Sequence, residues 1–376
     1  MLKILTKDEL TDEIAVVVGT RPGIIKFSPV IKKLKEYNIP FFIIHTGQHY
    51  TYNMDKQFFK ELELPEPKYT NDNVGNEVYH GAQTAEMLRG IESALLDSKP
   101  KAVIVGGDAN TNLAGALATR KLGVTLAHME AGLRSNDWRM PEEHNRVIID
   151  HISEILFAPT EVNKKNLIND NVKGEIIVTG NTIVDAVLQN KNFAQKKSNI
   201  ISSLSLHKRQ YILVTIHREE NVDSGKNINN LACLLEALSK EMQYPIFFPI
   251  HPRTKKRLEQ FNLYDKLIKK ENMNIINPIG YLDMLIMMDN AKYICTDSGG
   301  IQEEACILHT PCVTLRETTE RPETVDVGAN KICGLNINEI KRSFHYFDDF
   351  KEFAWDVPYG DGRASDKIVT RLKQCR

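Results

Sequence analysis

Polar residues capable of acid–base chemistry and anion binding stand directly after short apolar runs of this 376-residue chain. They are Arg21, Asp108, Glu130, His217 and the triplet Ser298-Gly299-Gly300. Carboxylates and a histidine can transfer protons, and an arginine or a helix N-terminus can bind an anion. Each alone also fits a structural role, such as a helix cap, a salt-bridge partner or a buried histidine. Together they predict a functional site, because the carboxyl ends of parallel strands share one sheet edge.

The segment 296–304 has the most specific pattern of these. Its two glycines follow an apolar run and open a helical pattern, so that a ligand could approach the backbone closely. A helix start offers free N–H groups to an anion, and Glu304, one turn further on, could bind ribose hydroxyls. A tight turn capped by Asp297 or Ser298 is the structural alternative. No G-K-[ST] follows, and residues 19–23 do not fit G-x-G-x-x-G, so neither a P-loop nor a nicotinamide site is indicated.

The segment 140–146 admits two interpretations. A proline followed by two acids suits the N-terminus of a helix without any function, and Glu142 could form an i, i+4 pair with Arg146. In the functional interpretation, Glu142 is a general acid or base that faces a cleft.

Two series of apolar runs, separated by helical patterns, must position these residues. Short runs rich in Val and Ile that alternate with helices are typical of buried parallel strands. The predicted strands are residues 14–18, 41–45, 102–105, 124–128, 155–157 and 176–178, then 211–216, 246–250, 273–276, 293–296 and 312–315. We therefore predict two doubly wound α/β domains, joined by a polar stretch near residues 195–199, with ligands in the cleft between them.

Composition narrows the function classes. Lys plus Arg is 48 and Asp plus Glu is 49, so the net charge is −1, and no basic stripe predicts nucleic-acid binding. No run approaches the roughly 18 apolar residues of a membrane span, and the first residues lack the apolar stretch of a signal peptide. The six cysteines form no C-x-x-C pair. We expect a reduced, cytoplasmic protein without a metal site.

Ten segments between residues 19 and 365 match one enzyme family. They are Gly19-Thr20-Arg21-Pro22 with Lys26, Thr46-Gly47-Gln48-His49, Gly107-Asp108, His128-Met129-Glu130-Ala131-Gly132-Leu133-Arg134, Pro141-Glu142-Glu143 with Asn145-Arg146, Thr179-Gly180-Asn181-Thr182, His217-Arg218, the segment 296–304, Thr318-Thr319-Glu320-Arg321-Pro322-Glu323 and Tyr359-Gly360-Asp361-Gly362. On these residues the chain resembles the non-hydrolysing UDP-N-acetylglucosamine 2-epimerases, and residues 215–221 are closer to archaeal-type members.

The resemblance implies a glycosyltransferase-B type fold, in which two Rossmann-like domains face a central cleft and the C-terminal helix crosses back to the first domain. We assign residues 1–185 and 363–376 to the first domain and 186–362 to the second, which would bind UDP.

The implied reaction interconverts UDP-N-acetylglucosamine and UDP-N-acetylmannosamine. The proton on sugar carbon 2 and UDP leave anti to each other, giving a 2-acetamidoglucal, and UDP then adds back. The implied enzyme needs no cofactor, is a homodimer and supplies precursors for glycan synthesis.

The resemblance also implies site residues, which are those at the matching positions of this chain. Asp108, Glu130 and Glu142 match the three carboxylates of the family, and which is base and which is acid stays open. His217 is the fourth expected catalytic residue, since with Arg21 and the 298–300 turn it matches the groups that assist the leaving UDP. The residues expected to bind UDP and the sugar are Arg21, Lys26, Arg134, Ser298, Gly299, Gly300, Glu304 and Arg321.

At some positions the chain differs from the family pattern, and other functions are possible alternatives. Gly23 stands where the family usually has an acid, and Ala109 stands where a threonine usually follows the aspartate. A sister group that acts on UDP-diacetamido uronic acids has Trp and Val where this chain has Arg321 and Pro322. The alternatives are therefore an epimerase of a related UDP-2-acetamido sugar, a glycosyltransferase, or a non-catalytic sugar-nucleotide sensor.

A regulatory site is also implied. Bacterial members bind a second UDP-N-acetylglucosamine that activates the reverse reaction, and Gln48, His49 and His251 match residues that line that site. Where the bacterial motif has a second arginine, this chain has Glu219, which removes a phosphate partner and adds repulsion. We therefore expect weak or absent activation by substrate.

Overall fold

Valine- and isoleucine-rich strands, separated by helices, form two parallel β-sheets. The computed structural model describes residues 4–48, 52–71, 74–77, 79–350 and 353–375. The chain divides into a first unit, Met1–Leu188 with Tyr359–Arg376, and a second unit, Gln189–Pro358. The first boundary lies three residues beyond the one predicted from the sequence, and the second lies four residues before its predicted place.

The first unit contains a seven-stranded sheet with the order β3-β2-β1-β4-β5-β6-β7, in which every pairing is parallel. Its strands are β1 Thr11–Val18, β2 Phe41–His45, β3 Tyr69–Thr70, β4 Pro100–Gly106, β5 Thr125–Met129, β6 Ile155–Ala158 and β7 Glu175–Val178. Its helices are α1 Arg21–Glu36, α2 Tyr52–Glu61, α3 His80–Ser98, α4 Asn110–Lys121, α5 Pro141–Ile152, α6 Glu161–Asn169 and the first part of α7 Thr182–Lys197.

The second unit repeats the plan with six parallel strands in the order β10-β9-β8-β11-β12-β13. Its strands are β8 Ile212–Thr215, β9 Ile246–Pro249, β10 Met273–Ile276, β11 Tyr293–Thr296, β12 Cys312–Thr314 and β13 Asn330–Ile332. Its helices are α8 Ile200–Ser203, α9 Glu219–Val222, α10 Gly225–Glu241, α11 Pro252–Gln260, α12 Tyr264–Leu267, α13 Tyr281–Asn290, α14 Gly299–Ile307, α15 Pro322–Asp326 and α16 Ile337–Asp348.

The prediction of two Rossmann-like, doubly wound α/β domains is confirmed. Two strands, β3 and β13, were absent from it, because two or three residues are too few to show a hydrophobic period. The central strands of both sheets are buried on both faces, which accounts for their continuous apolar sequence.

The C-terminal helix, α17 Ala364–Leu372, belongs to the first unit. Its N-terminus is held by the buried carboxylate of Asp185 on α7, which accepts the backbone N–H groups of Ala364 (3.2 Å) and Ser365 (2.9 Å). An aspartate at this point satisfies helix N–H groups that would otherwise lack partners and opposes the positive end of the helix dipole.

The helices and the cysteines can be compared with the expectations of no membrane span and of reduced thiols. Within the described ranges, no helix is both long and apolar enough to cross a membrane. The six cysteines are free, and all but Cys233 are buried. Burial raises the pKa of the Cys295 and Cys312 thiols, so they are protonated core side chains at neutral pH.

Candidate active site

Four of the predicted residues lie where the strand order of a sheet reverses. In the first unit the chain winds outward from β1 and β4, and Arg21 and Asp108 follow those two strands. In the second unit the corresponding strands are β8 and β11, which His217 and Ser298 follow. Because helices leave these neighbouring strands in opposite directions, a crevice forms at their carboxyl ends, where open α/β sheets bind ligands.

Glu130 is the most constrained of the candidate residues. It follows β5 with a backbone φ of 62°, a left-handed conformation that is uncommon outside glycine, and its residue is 8% exposed. The Lys26 ammonium on α1 lies 2.5 Å from Oε1, and the Asn181 side chain donates to the same oxygen at 3.1 Å. A buried carboxylate needs such partners, and strain of this kind is often found at functional sites.

The glycine turn directly before Asp108 lies close to Glu130. Gly107, at φ 88°, precedes Asp108, and a Cβ built on it would lie 3.2 Å from Glu130 Oε2. Asp108 itself is held at both ends. Its carboxylate accepts a bond from Arg146 at 2.6 Å, and its backbone oxygen accepts one from the Asn145 amide at 2.8 Å. The structure therefore brings two of the three predicted carboxylates to one edge of the first sheet.

The third carboxylate, Glu142, differs from the sequence expectation. It lies half-buried in the first turn of α5, but Arg146 does not pair with it. Arg146 bonds Glu143 at 2.9 Å and Asp108 instead, so the i, i+4 pair is wrong. Burial would raise the pKa of Glu143, but donors from Ser135 and Asn136 and the charge of Arg146 lower it. Among the described residues, the Glu142 carboxylate has no hydrogen-bond or ion-pair partner.

Two predicted arginines of the first unit have different surroundings. Arg21, in the first turn of α1, is 39% exposed; its Nε donates to buried Asp55 at 3.1 Å and its guanidinium lies over Phe58. Arg134 is 7% exposed and pairs with both Asp150 and Asp170 at 2.7 Å. These ion pairs hold the guanidinium in place, and the substrate contact of Arg134 stays a prediction.

His217 follows β8 and is fixed by a residue that sequence analysis treated only as a cap. Asp297, fully buried, accepts the backbone N–H groups of His217 (3.1 Å) and Arg218 (3.0 Å) and the side-chain amide of Asn221 (3.0 Å). The His217 ring nitrogen Nδ1 lies 3.4 Å from the same carboxylate. Asp297 therefore connects the ends of the two strands at the reversal point of the second sheet.

The charge state of His217 follows from its surroundings. Burial lowers its pKa below the usual 6.5, and the charges of Arg218 and Arg253 lower it further, against the opposing effect of Asp297. The ring is therefore neutral at pH 7 and can donate one N–H bond to an anion.

The start of α14 has no side-chain cap. Ser298 is the N-cap residue, but its hydroxyl makes no capping bond. A Cβ on Gly299 would come no closer than 3.7 Å to any side chain, and one on Gly300 no closer than 4.0 Å. The packing of the chain therefore does not require these glycines, whereas a ligand on the helix N–H groups would. Glu320 lies nearby; burial opposes its ionisation, but Arg316 lowers its pKa to about 2 and pairs with it at 2.7 Å.

The remaining predicted residues of the second unit lie near the same helix. Glu304, in the second turn of α14, is almost buried beside Tyr281, whose pKa is raised by burial and by that carboxylate. Arg321 pairs with buried Glu303 at 2.8 Å.

The residues predicted for regulation are only partly described. His49 lies outside the described residues. The Gln48 side-chain oxygen accepts both the N–H (2.8 Å) and the hydroxyl (2.7 Å) of Thr111, which is a structural role. His251 is the N-cap of α11, and its ring centroid is 5.6 Å from that of His217. Glu219 is exposed and bonds Arg253 at 2.9 Å.

Sequence reasoning missed three supporting residues, which are Asp297, Asn181 and Arg146. Asn181 and Arg146 belong to matched segments, but nothing in their spacing shows which carboxylate they bond. No group of three or more His, Cys, Asp or Glu suited to a metal ion is found among the residues for which the structure gives positions.

The chain is similar to known enzymes over almost its whole length. The family model described as UDP-N-acetylglucosamine 2-epimerase matches residues 32–373. The UDP-N-acetylglucosamine 2-epimerase of Methanocaldococcus jannaschii is 50% identical over 363 residues, which are 96% of this chain and 98% of that protein. The UDP-2,3-diacetamido-2,3-dideoxy-D-glucuronate 2-epimerase of Pseudomonas aeruginosa is 40% identical over 364 residues, 96% of this chain and 99% of that protein.

A solved structure is similar over the same length. The crystal structure of the M. jannaschii UDP-GlcNAc 2-epimerase, in complex with UDP-GlcNAc and UDP, matches with a TM-score of 0.87 and 50% sequence identity. The match covers 96% of this chain and 99% of that one.

The bonds around Asp297 generate the first prediction. Asp297→Asn replaces one acceptor oxygen by an N–H₂ group that faces N–H donors. We expect a loss of roughly 2–3 kcal/mol in the stability of the second unit, as for hydrogen bonds to a charged group. Urea denaturation, with hydrogen exchange of second-unit amides, measures the loss. Asp265→Asn, an exposed acid on α12, is the matched control and should leave stability unchanged. Equal stability of the two variants would contradict the role of Asp297.

Proposed function

Because the chain belongs to the UDP-N-acetylglucosamine 2-epimerase family, we propose that it interconverts UDP-N-acetylglucosamine and UDP-N-acetylmannosamine at carbon 2 of the sugar. The observation that carries the proposal is the turn at Gly107, the residue directly before Asp108, where a Cβ would lie 3.2 Å from Glu130 Oε2. Glu142 lies in the first turn of α5 of the same unit. Epimerisation needs proton transfer on both faces of one carbon, and several carboxylates in one site supply it.

The proposed reaction is an elimination followed by an addition. The C2–H bond and the bond from C1 to the phosphate oxygen break, C1 and C2 become doubly bonded, and UDP takes the electron pair. In the return step a phosphate oxygen of UDP bonds C1 again, while a proton reaches C2 from the other face. Atoms and electrons balance without an oxidant, since the proton removed and the proton returned differ only in the face of the ring.

The three carboxylates differ in their hydrogen-bond and ion-pair partners, and this difference supports an assignment of the two proton transfers. Asp108 is bonded to Arg146 and Glu130 to Lys26, whereas Glu142 has no partner among the described residues. A carboxylate that exchanges protons without breaking an ion pair suits the acid–base step, so we assign one of the two proton transfers to Glu142. The other belongs to Asp108 or Glu130.

We assign the nucleotide to the second unit. The N–H groups of Gly299 and Gly300 and the positive end of α14 suit a phosphate, and neutral His217 can donate to a phosphate oxygen. We assign Glu304, on α14, to the ribose hydroxyls. Lys26 and Arg21 in the first unit and Arg321 in the second remain proposed substrate contacts.

We also propose an assembly, a location and a biosynthetic role for the protein. Assembly as a homodimer, a cytoplasmic location and a role in supplying glycan precursors stay predictions from the sequence. An epimerase of a related UDP-2-acetamido sugar is the alternative substrate class, which the 40% identical Pseudomonas enzyme represents.

Solvent isotope uptake tests the reaction. With UDP-N-acetylglucosamine in heavy water and no added nicotinamide or metal, we expect UDP-N-acetylmannosamine that carries deuterium at carbon 2, because the proton returns from solvent-exchanged carboxylates. NMR identifies the product and its label. Product that retains the original hydrogen would overturn the elimination. The UDP-diacetamido uronic acid substrate, offered in parallel, should react far more slowly.

Charge-neutral variants test the carboxylates. Asp108→Asn, Glu130→Gln and Glu142→Gln should each lower kcat by about 10²–10⁴-fold, the usual contribution of a general acid or base. UDP affinity, measured by calorimetry, should be unchanged because its proposed contacts are elsewhere. Glu161→Gln, an exposed acid in the first turn of α6, is the control. A variant with near-normal kcat would return its residue to a structural role.

The reverse reaction tests regulation. Glu219 carries negative charge and occupies Arg253, so a second diphosphate has weaker support than in bacterial members. UDP-N-acetylmannosamine alone should therefore be epimerised without a lag. Glu219→Arg, which restores the bacterial residue type, should make the rate respond to added UDP-N-acetylglucosamine. A wild-type reaction that stays silent until UDP-N-acetylglucosamine is added would show that the second site works.

A further inference from the structure

The imidazole of His128, fully buried at the end of β5, lies between two hydrogen-bond acceptors. Its Nδ1 is 2.7 Å from Asp150 Oδ1 on α5, and its Nε2 is 3.1 Å from the backbone oxygen of Gly107. A backbone carbonyl cannot donate. The ring must therefore donate from Nε2, and the hydrogen bond at Nδ1 depends on which partner carries the proton.

Asp150 is occupied as a carboxylate. Its second oxygen accepts the Gly132 N–H at 3.1 Å and lies 2.7 Å from the Arg134 guanidinium. A backbone N–H and a guanidinium on one oxygen favour the ionised carboxylate, so the proton of the short bond belongs to Nδ1. Both ring nitrogens then donate, and His128 is an imidazolium balanced by Asp150.

The carbonyl that His128 binds belongs to the residue directly before Asp108. Gly107 also donates its N–H to the Met129 oxygen at 3.1 Å, so both polar groups of Gly107 are bonded to the end of β5. On the other side of the carboxylate-bearing residue, Asn145 holds the Asp108 oxygen. His128 thus fixes the turn at Gly107, which carries Asp108 and lies close to Glu130.

We propose that His128, held as an imidazolium by Asp150, is a positioning residue for Asp108. The proposal rests on the proposed function, since it assigns His128 no contact with substrate. The charged groups on the elements around the ring are Asp150 and Arg146 of α5, Arg134 of the segment after β5, and Asp108 and Glu130 at the two strand ends. Without the ring, the Gly107 carbonyl loses its donor and the turn that carries Asp108 loses a hydrogen bond to the end of β5.

Kinetics of His128 variants test the positioning. His128→Ala should lower kcat for epimerisation by about 10²-fold, the scale expected when a reacting group is misplaced by about 1 Å. KM and UDP affinity should change little. In an Asp108→Asn background the same change should have almost no further effect, because His128 acts through Asp108. Additive losses in that cycle, or a kcat near that of wild type, would overturn the proposal.

Asp150→Asn separates the charge of the ring from its position. The side-chain amide introduced by this change can donate to Nδ1 of a neutral ring while its oxygen still accepts the Gly132 N–H, and Nε2–H still reaches Gly107. This variant should therefore retain much more kcat than His128→Ala. His151→Ala, an exposed histidine on the same helix, is the matched control and should keep wild-type kcat. Equal losses in Asp150→Asn and His128→Ala would contradict positioning through Gly107.

A measurement on the unmodified protein covers the case in which the alanine variant fails to fold. Nitrogen-15 NMR of histidine-labelled wild-type protein, without substrate, should show one ring with both nitrogens protonated, and Asp150→Asn should convert that ring to a singly protonated form. The readout does not depend on epimerase activity, so its failure is distinct from failure of the proposed function. A wild-type spectrum in which no ring has both nitrogens protonated would overturn the imidazolium.

Discussion

Enclosing the Glu130 carboxylate is the constraint on which the first unit depends. A buried charge is costly unless cations and donors surround it, and the partners here come from distant segments. Lys26 comes from α1 and Asn181 from the loop after β7, so one carboxylate ties together elements from both halves of the seven-stranded sheet. The same enclosure explains the glycine at 107, since a side chain there would crowd the carboxylate, and it accompanies the left-handed backbone at Glu130.

The second unit meets the same requirement by different means. Asp297 is as buried as any residue of the core, yet the N–H groups it accepts are mainly backbone groups of the turn after β8. A carboxylate satisfied by backbone leaves nearby cationic side chains uncommitted to it, whereas Glu130 and Asp108 each occupy a lysine or an arginine. This difference fits a division in which the first unit handles proton transfer and the second binds an anion.

Sequence analysis predicted the sheets and the strand ends well, because both leave local signals. Apolar runs gave eleven of the strands, and residues such as Asp108 and His217 follow strands where the chain turns. Partners were not predictable in this way. The ion pairs of Arg134 with Asp150 and Asp170 left no signal in the sequence, and Arg146 bonds Glu143 rather than Glu142. Such pairings depend on side-chain direction and on contacts between segments far apart in sequence, which periodicity does not record.

The departure at position 109 has a structural compensation. Ala109 is the N-cap of α4, and it has no side-chain oxygen to accept the free N–H groups of the first turn. The Gln48 side chain, from the segment after β2, accepts the Thr111 N–H at 2.8 Å in its place. Asn112 then holds Gly106 through both its donor and its acceptor, at 2.7 and 3.1 Å, so the turn that carries Asp108 is fixed without a threonine at 109. Gln48 is therefore a remote cap for α4, and its position in a matched segment is explained by the geometry of the Asp108 turn.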